Sequence, residues 1–186
     1  MDNNRSLFPL LLFLKAHSAF LATVQLAANT QLSEAHCLLR SVLEYSLYGF
    51  YIHHKPDLGR TWMFRHDSDE TRKAVKANFK IQDIQAFLEG KDAALAKVFR
   101  VLYDGTIDWG AHPNERALSG SLKITEAENE SHFEVSYLTA NADMIVATLK
   151  TASQVGVGML KALQLVAPQC FSSDMQAKLQ KVSEEL

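Results

Sequence analysis

A chain of 186 residues, 47% of them hydrophobic and 22% charged, has the composition of one globular domain and excludes intrinsic disorder. That length buries enough surface to fold without a disulfide or a metal staple. A net charge of −2 supplies no basic field for phosphates, which excludes generic binding to DNA or RNA.

The N-terminal SLFPLLLFL has the apolar run of a signal-peptide core, but Lys15 and His17 interrupt it, and it is too short to span a bilayer. The spacing of Leu10, Phe13, Leu14, Phe20, Leu21 and Val24 predicts instead an amphipathic first helix over 7–28, with Pro9 in its first turn. Asn29 and Thr30 break it. A second helix follows over 32–54, stopped by Pro56, and the short turn between the two predicts an antiparallel hairpin.

Residues 57–90 are more polar. LGRTWMFRH, DETRKAVKANF and IQDIQAFL read as three short helices crossing one end of a bundle. Asp92 is an N-cap for the next helix, whose Leu95, Val98, Phe99 and Leu102 share one side. Pro113 drives the preceding residue out of the helical region, so this helix is expected to end near Ala111. SLKIT and HFEVSYL alternate with period two around EAENES, which predicts a β-hairpin insertion at about 121–138. Asn141 caps a long helix to 166, and a short helix from 173 ends the chain, with Gln176 in capping-box position. The fold class expected is mainly α: a single multi-helix bundle over 1–186 with a small β-hairpin insertion.

The second helix carries the chemistry. From Ala35 to Ile52 it is apolar or aromatic on nearly every side, and only Arg40 and Glu44 are charged. Such a helix belongs in the middle of a bundle. Cys37, Arg40, Glu44, Tyr48 and Tyr51 follow one another at three- or four-residue steps, so Arg40 and Glu44 can pair. A pair held inside a bundle must be hydrogen-bonded on all sides. It is either a structural ion pair that fixes register or the wall of a polar pocket. The natural partner is DWGAHPN: His112 sits at the negative pole of its helix, and Asp108 lies one turn earlier, able to hold one ring nitrogen. Asn114 can cap the turn after the proline. Arg40, Glu44, Asp108 and His112 are thus the candidate catalytic set. Tyr48, Tyr51 and Asn114 are candidate ligand contacts, the tyrosines being equally readable as core or dimer-interface aromatics.

LLRSVLEYSLYGFYI, followed some sixty residues later by YDGTIDWGAHPN, resembles a group of uncharacterised all-helical bacterial proteins with an Arg-Ser-x-x-Glu helix and a later His-Pro-Asn turn. That group is compared with HEPN ribonucleases and abortive-infection proteins. The resemblance covers roughly residues 30–120 and implies a bundle in which Arg40, Glu44 and His112 meet; it implies no established activity.

Rival motifs are weaker. Arg60 and His66 in RTWMFRH have the Arg-to-His spacing of HEPN ribonucleases, but Thr61 stands where a polar Asn or Asp is usual. Seven histidines invite a metal, yet the sequence has no HExxH and no Glu-x-x-His. VGVG at 155–158 lies inside a helix and is not a phosphate loop, and no G-x-S-x-G elbow occurs. Cys37 and Cys170 lie far apart, and Cys37 reads as a small buried hydrophobe in a reduced, cytoplasmic protein. The expected function is a binding or interaction module of stress or defence type, dimeric, with a polar pocket at Arg40/Glu44/His112 for a small anion or a protein partner. The expected protein has no metal or other cofactor, no membrane contact and no generic nucleic-acid binding. The alternatives are a metal-independent HEPN-like ribonuclease or phosphodiesterase, with His112 as acid/base and Arg40 against phosphate charge, and a metal-dependent hydrolase.

Overall fold

The computed structural model describes residues 3–113, 115, 122–127 and 130–186. In chain order the described elements are α1 (Asn3–Ala28), α2 (Leu32–His54), α3 (Pro56–Met63), α4 (Asp69–Asn78), α5 (Ile81–Glu89), α6 (Ala93–Thr106), a π turn (Ile107–Ala111), β1 (Leu122–Ala127), β2 (Glu130–Val135), α7 (Ala142–Val166), a short 3-10 turn (Pro168–Cys170) and α8 (Ser173–Glu185). The class is mainly α with a small β-hairpin, as the periodicity predicts.

α2 is the axis of the bundle. It packs against α1, α3, α5, α6, α7 and the π turn. Leu39, Val42, Leu43, Leu47 and Phe50 are almost wholly withdrawn from solvent and meet Ile84, Leu88, Phe99 and Val155 from its neighbours. A helix apolar on nearly every side has no stable place except inside, and here it is inside. The VGVG stretch is a packing device: a Cβ on Gly156 would stand 2.8 Å from the Phe20 ring, so glycine there lets α1 and α7 close on each other.

Caps follow the polar residues expected of them. Asp92 Oδ1 accepts from Leu95 N at 2.9 Å, and Asn141 Oδ1 accepts from Asp143 N and Met144 N at 3.0 and 3.2 Å. At the last helix the cap is Ser172, whose hydroxyl accepts from Met175 N. Gln176 therefore lies beyond the capping-box position and donates to Phe171 O instead. The hairpin pairs Leu122 with Val135 and Ala127 with Glu130 in antiparallel register, and β2 is exposed along its whole length.

Two expectations change. α6 does not stay α-helical to Ala111; it widens into the π turn after Thr106. The apolar part of α1 is also longer than its leading nonapeptide: Leu7–Ala28 is long and apolar enough, by length and composition alone, to cross a membrane. In this fold α1 lies along α2 and α7.

Thr30, between α1 and α2, has φ of 64°, the left-handed region that a β-branched residue tolerates poorly. Its carbonyl accepts from Thr139 N at 3.3 Å, tying the hairpin exit to the α1–α2 turn. Thr30→Asn keeps that carbonyl and suits the backbone better. It is expected to raise unfolding stability by roughly 0.5–1 kcal/mol in denaturant melts.

Candidate functional site

The stripe of α2 formed by Ser33, His36, Cys37, Arg40 and Glu44 carries the π turn. A helix end leaves carbonyls without intrahelical donors, and side chains must supply them. Arg40 Nη1 donates to Ala111 O at 3.5 Å, and Cys37 Sγ donates to Gly110 O at 3.1 Å. Gly110 adopts φ of 130°, and a Cβ there would lie 3.0 Å from Ser33 Cβ, so only glycine lets the turn sit this close to α2.

Arg40 is held in its turn. Its Nε donates to Glu44 Oε1 at 2.9 Å, the Tyr103 hydroxyl donates to that same oxygen at 2.9 Å, and the guanidinium lies 5.2 Å from the Tyr103 ring centroid. The pair is neither sealed nor open: Arg40 and Glu44 side chains are 28% and 37% exposed, which lowers the desolvation cost of a fully buried pair. Burial, and then the Glu44 charge, push the Tyr103 hydroxyl up to about 12, so it remains a donor to the carboxylate. Burial alone lowers Arg40, but the Glu44 hydrogen bond and the neighbouring Tyr103 outweigh it and the guanidinium shifts upward. Burial, followed by the charge of Glu34, raises the Cys37 thiol and keeps it protonated as a donor. Cys37 is exposed and hydrogen-bonded, rather than the buried hydrophobe expected.

The remaining candidates separate. Among the described residues no hydrogen bond or ion pair joins His112 to Arg40 or Glu44; His112 is exposed, with Nδ1 3.5 Å from Pro113 O. The extended backbone at His112 turns the residue out of the helix, while the Ala111 carbonyl takes the place beside Arg40. Asp108 is an exposed member of the π turn. Tyr48 donates to Phe79 O and packs on Phe79 and Trp62, and Tyr51 is buried against Phe79 and Phe87, so both belong to the packing of the far end of α2. Asn114 lies outside the described residues. Arg60, on α3, and His66, in the turn after it, are exposed. Among the described residues, no three His, Cys, Asp or Glu side chains are grouped as a metal would require.

A cavity of about 180 Å³ lies on the other side of the π turn. The start of α2 supplies Ser33, Glu34 and His36, the π turn Trp109, the hairpin exit Ser136, Tyr137 and Thr139, and α7 Met144, Thr148 and Thr151. His36 is 4% exposed and stacks on Trp109 with ring centroids 6.3 Å apart. Its Nε2 is 3.5 Å from Thr148 Oγ1, and its buried Nδ1 has no hydrogen-bond partner. Among the described residues, those lining a larger groove of about 380 Å³ between α6, α7 and α8 include no such buried polar atom.

Sequence reasoning passed over His36, Tyr103, Trp109 and Thr148. The sequence does carry a signal for His36, since 36, 40 and 44 place three ionisable side chains at four-residue spacing along a largely apolar helix. Tyr103 adjoins Leu102 on the apolar side of α6, where a hydroxyl needs a partner.

Arg40→Leu removes the donor to Ala111 O and orphans part of Glu44. With the exposure of the pair discounted, it is expected to cost about 1–2 kcal/mol and to speed amide exchange across residues 107–112, read by mass spectrometry. His36 gives a pH test. Burial lowers its ring from 6.5 to about 4, so between those values the unfolded chain binds a proton that the folded chain refuses. Stability is therefore full above that window and falls as pH drops through it, by roughly 3 kcal/mol, and His36→Phe is expected to flatten this part of the curve.

The chain matches no family model, no curated protein and no solved structure, so the chemistry of the site rests on its own residues.

Proposed function

We propose that this chain is a small-ligand binding module, with its site in the cavity between His36, Trp109 and Thr148 rather than at Arg40 and His112. The observation that carries this reading is the hydrogen bonding of Arg40, Glu44 and Tyr103. All three are engaged with one another and with the end of the π turn, while a buried histidine beside the cavity keeps a nitrogen without a partner. Groups already satisfied inside the protein support a positioning role, and a cavity with convergent polar groups supports binding.

The lining favours an uncharged or cationic ligand. Among the described residues of the lining Glu34 is the one acidic side chain, His36 is neutral near pH 7, and Asn141 already occupies the free amides at the start of α7. An anion would enter without a counter-charge. The Ser33 hydroxyl, and the remaining capacity of Thr139 and Thr148, suit a hydroxylated or amine-bearing compound of roughly monosaccharide size, while Ser136 and Thr151 already donate to Leu138 O and Ala147 O. The ribonuclease alternative would need Arg40 released from Glu44 and Ala111, and the metal-dependent alternative would need a ligand set that the described residues do not group.

With Trp62→Phe, Trp109 becomes the sole tryptophan of the two in the chain and reports on the cavity. Its emission is expected to change saturably with a pentitol or a small hydroxy-amine and not with inorganic phosphate, and Thr148→Val is expected to weaken the response about tenfold. Response to phosphate alone, or to none of the three, overturns the reading.

A further inference from the structure

α1 is apolar on two sides, and the bundle covers one. Leu12, Phe13, Ala16, Thr23 and Ala27 face inward and are buried. Outward, Leu7, Leu11, Leu14, Leu21 and Val24 are 52%, 46%, 63%, 50% and 37% exposed. The exposed positions are not scattered. Leu7, Leu14, Leu21 and Ala28 recur every seven residues, and Leu11, Ser18 and Gln25 each follow four residues later. That is the alternating four-and-three spacing of a coiled-coil seam, with leucine at three of the d positions and polar residues at two of the a positions.

We infer that this face is covered by α1 of a second copy of the chain, the two helices running parallel about a two-fold axis. A surface with coiled-coil spacing matches another helix of the same spacing, and a two-fold axis supplies one. In the parallel arrangement leucine meets leucine in three of the four d layers, with Ala28 against its own copy in the last, and Ser18 and Gln25 meet their own copies, where polar groups fix the register. Charge selects the same direction. Lys15 falls at an e position and His17 at a g position, so in the parallel pair Lys15 faces Leu10 and His17 faces Ala22 of the second copy. Reversing one helix sets Lys15 against Lys15. The area is adequate. The five exposed side chains offer on the order of 400 Å² of apolar surface per copy, and the stems of Lys15, His17 and Gln25 extend this toward the ~600–800 Å² per partner of a specific interface. A lipid covering is disfavoured because Lys15, His17, Ser18 and Gln25 share the face, and α1 is fixed along α2 and α7.

Analytical ultracentrifugation of the full chain at tens of micromolar is expected to give a dimer. Leu14→Glu, at the most exposed of these leucines, is expected to give a monomer with unchanged helical circular dichroism and at least a tenfold weaker association. Leu7→Cys is expected to form a disulfide with its own copy, identified by mass spectrometry; an antiparallel pair would separate the two Leu7 positions by most of the helix. A monomeric parent chain, a dimer indifferent to Leu14→Glu, or failure of Leu7→Cys to cross-link overturns the inference. So does a monomer that floats with phosphatidylcholine vesicles in a Leu14-dependent way, which would assign the face to lipid.

Discussion

One carboxylate oxygen organises this molecule. Oε1 of Glu44 receives both Arg40 Nε and the Tyr103 hydroxyl, and so joins the central helix to α6. With Arg40 fixed there, its Nη1 reaches the far end of the π turn at Ala111 O. Without that contact the widened turn would leave carbonyls unsatisfied where they press on α2. The charge pair is thus a joint: it holds in place the segment that sets Trp109 over His36.

Widening the helix matters because an ordinary α-turn would advance each side chain by 100° and carry Trp109 to another side. A π turn inserts extra backbone per turn, and such turns recur at functional sites. Gly110 completes the device by adopting a backbone conformation closed to other residues and by resting against Ser33. The cavity is therefore a product of how α6 ends.

The fold was largely legible in the sequence, and the site only half so. Apolar spacing marked every long helix, Asp92 and Asn141 marked two starts, and alternation marked the hairpin, because these signals are local. Arg40 and Glu44 stood out as the charges of an apolar helix, and their contact is an i,i+4 relation that needs no tertiary information. The pairing of Asp108 with His112 requires that the last turn stay α-helical, and the segment Ile107–Ala111 is a π turn instead. The change to π geometry depends on packing against α2, which no local pattern encodes. Tyr103, 59 residues from its carboxylate, and Thr148, 112 residues from His36, are long-range partners of the same kind. Cys37 reads as buried from its apolar neighbours on the chain, while its neighbour in space is the Gly110 carbonyl.

The unfavourable features of the structure gather in one place. Thr30 sits in a left-handed conformation at the cavity wall, Gly110 adopts positive φ next to Trp109, and the helix departs from α geometry there. His36 holds a nitrogen without a partner at the same point; the other such atom among the described residues, Gln85 Nε2, lies on α5. The Thr30 conformation and the unpartnered His36 nitrogen each cost on the order of 1–3 kcal/mol, and a fold with a total margin of about 5–15 kcal/mol does not place them side by side at random. The far end of α2 shows what the same helix does under no such demand: Tyr48, Phe50, Tyr51, Phe79 and Phe87 pack ring on ring, and the tyrosine hydroxyls and His54 find nearby partners. The contrast between the two ends of one helix separates the region shaped by packing from the region shaped by something that packing does not require.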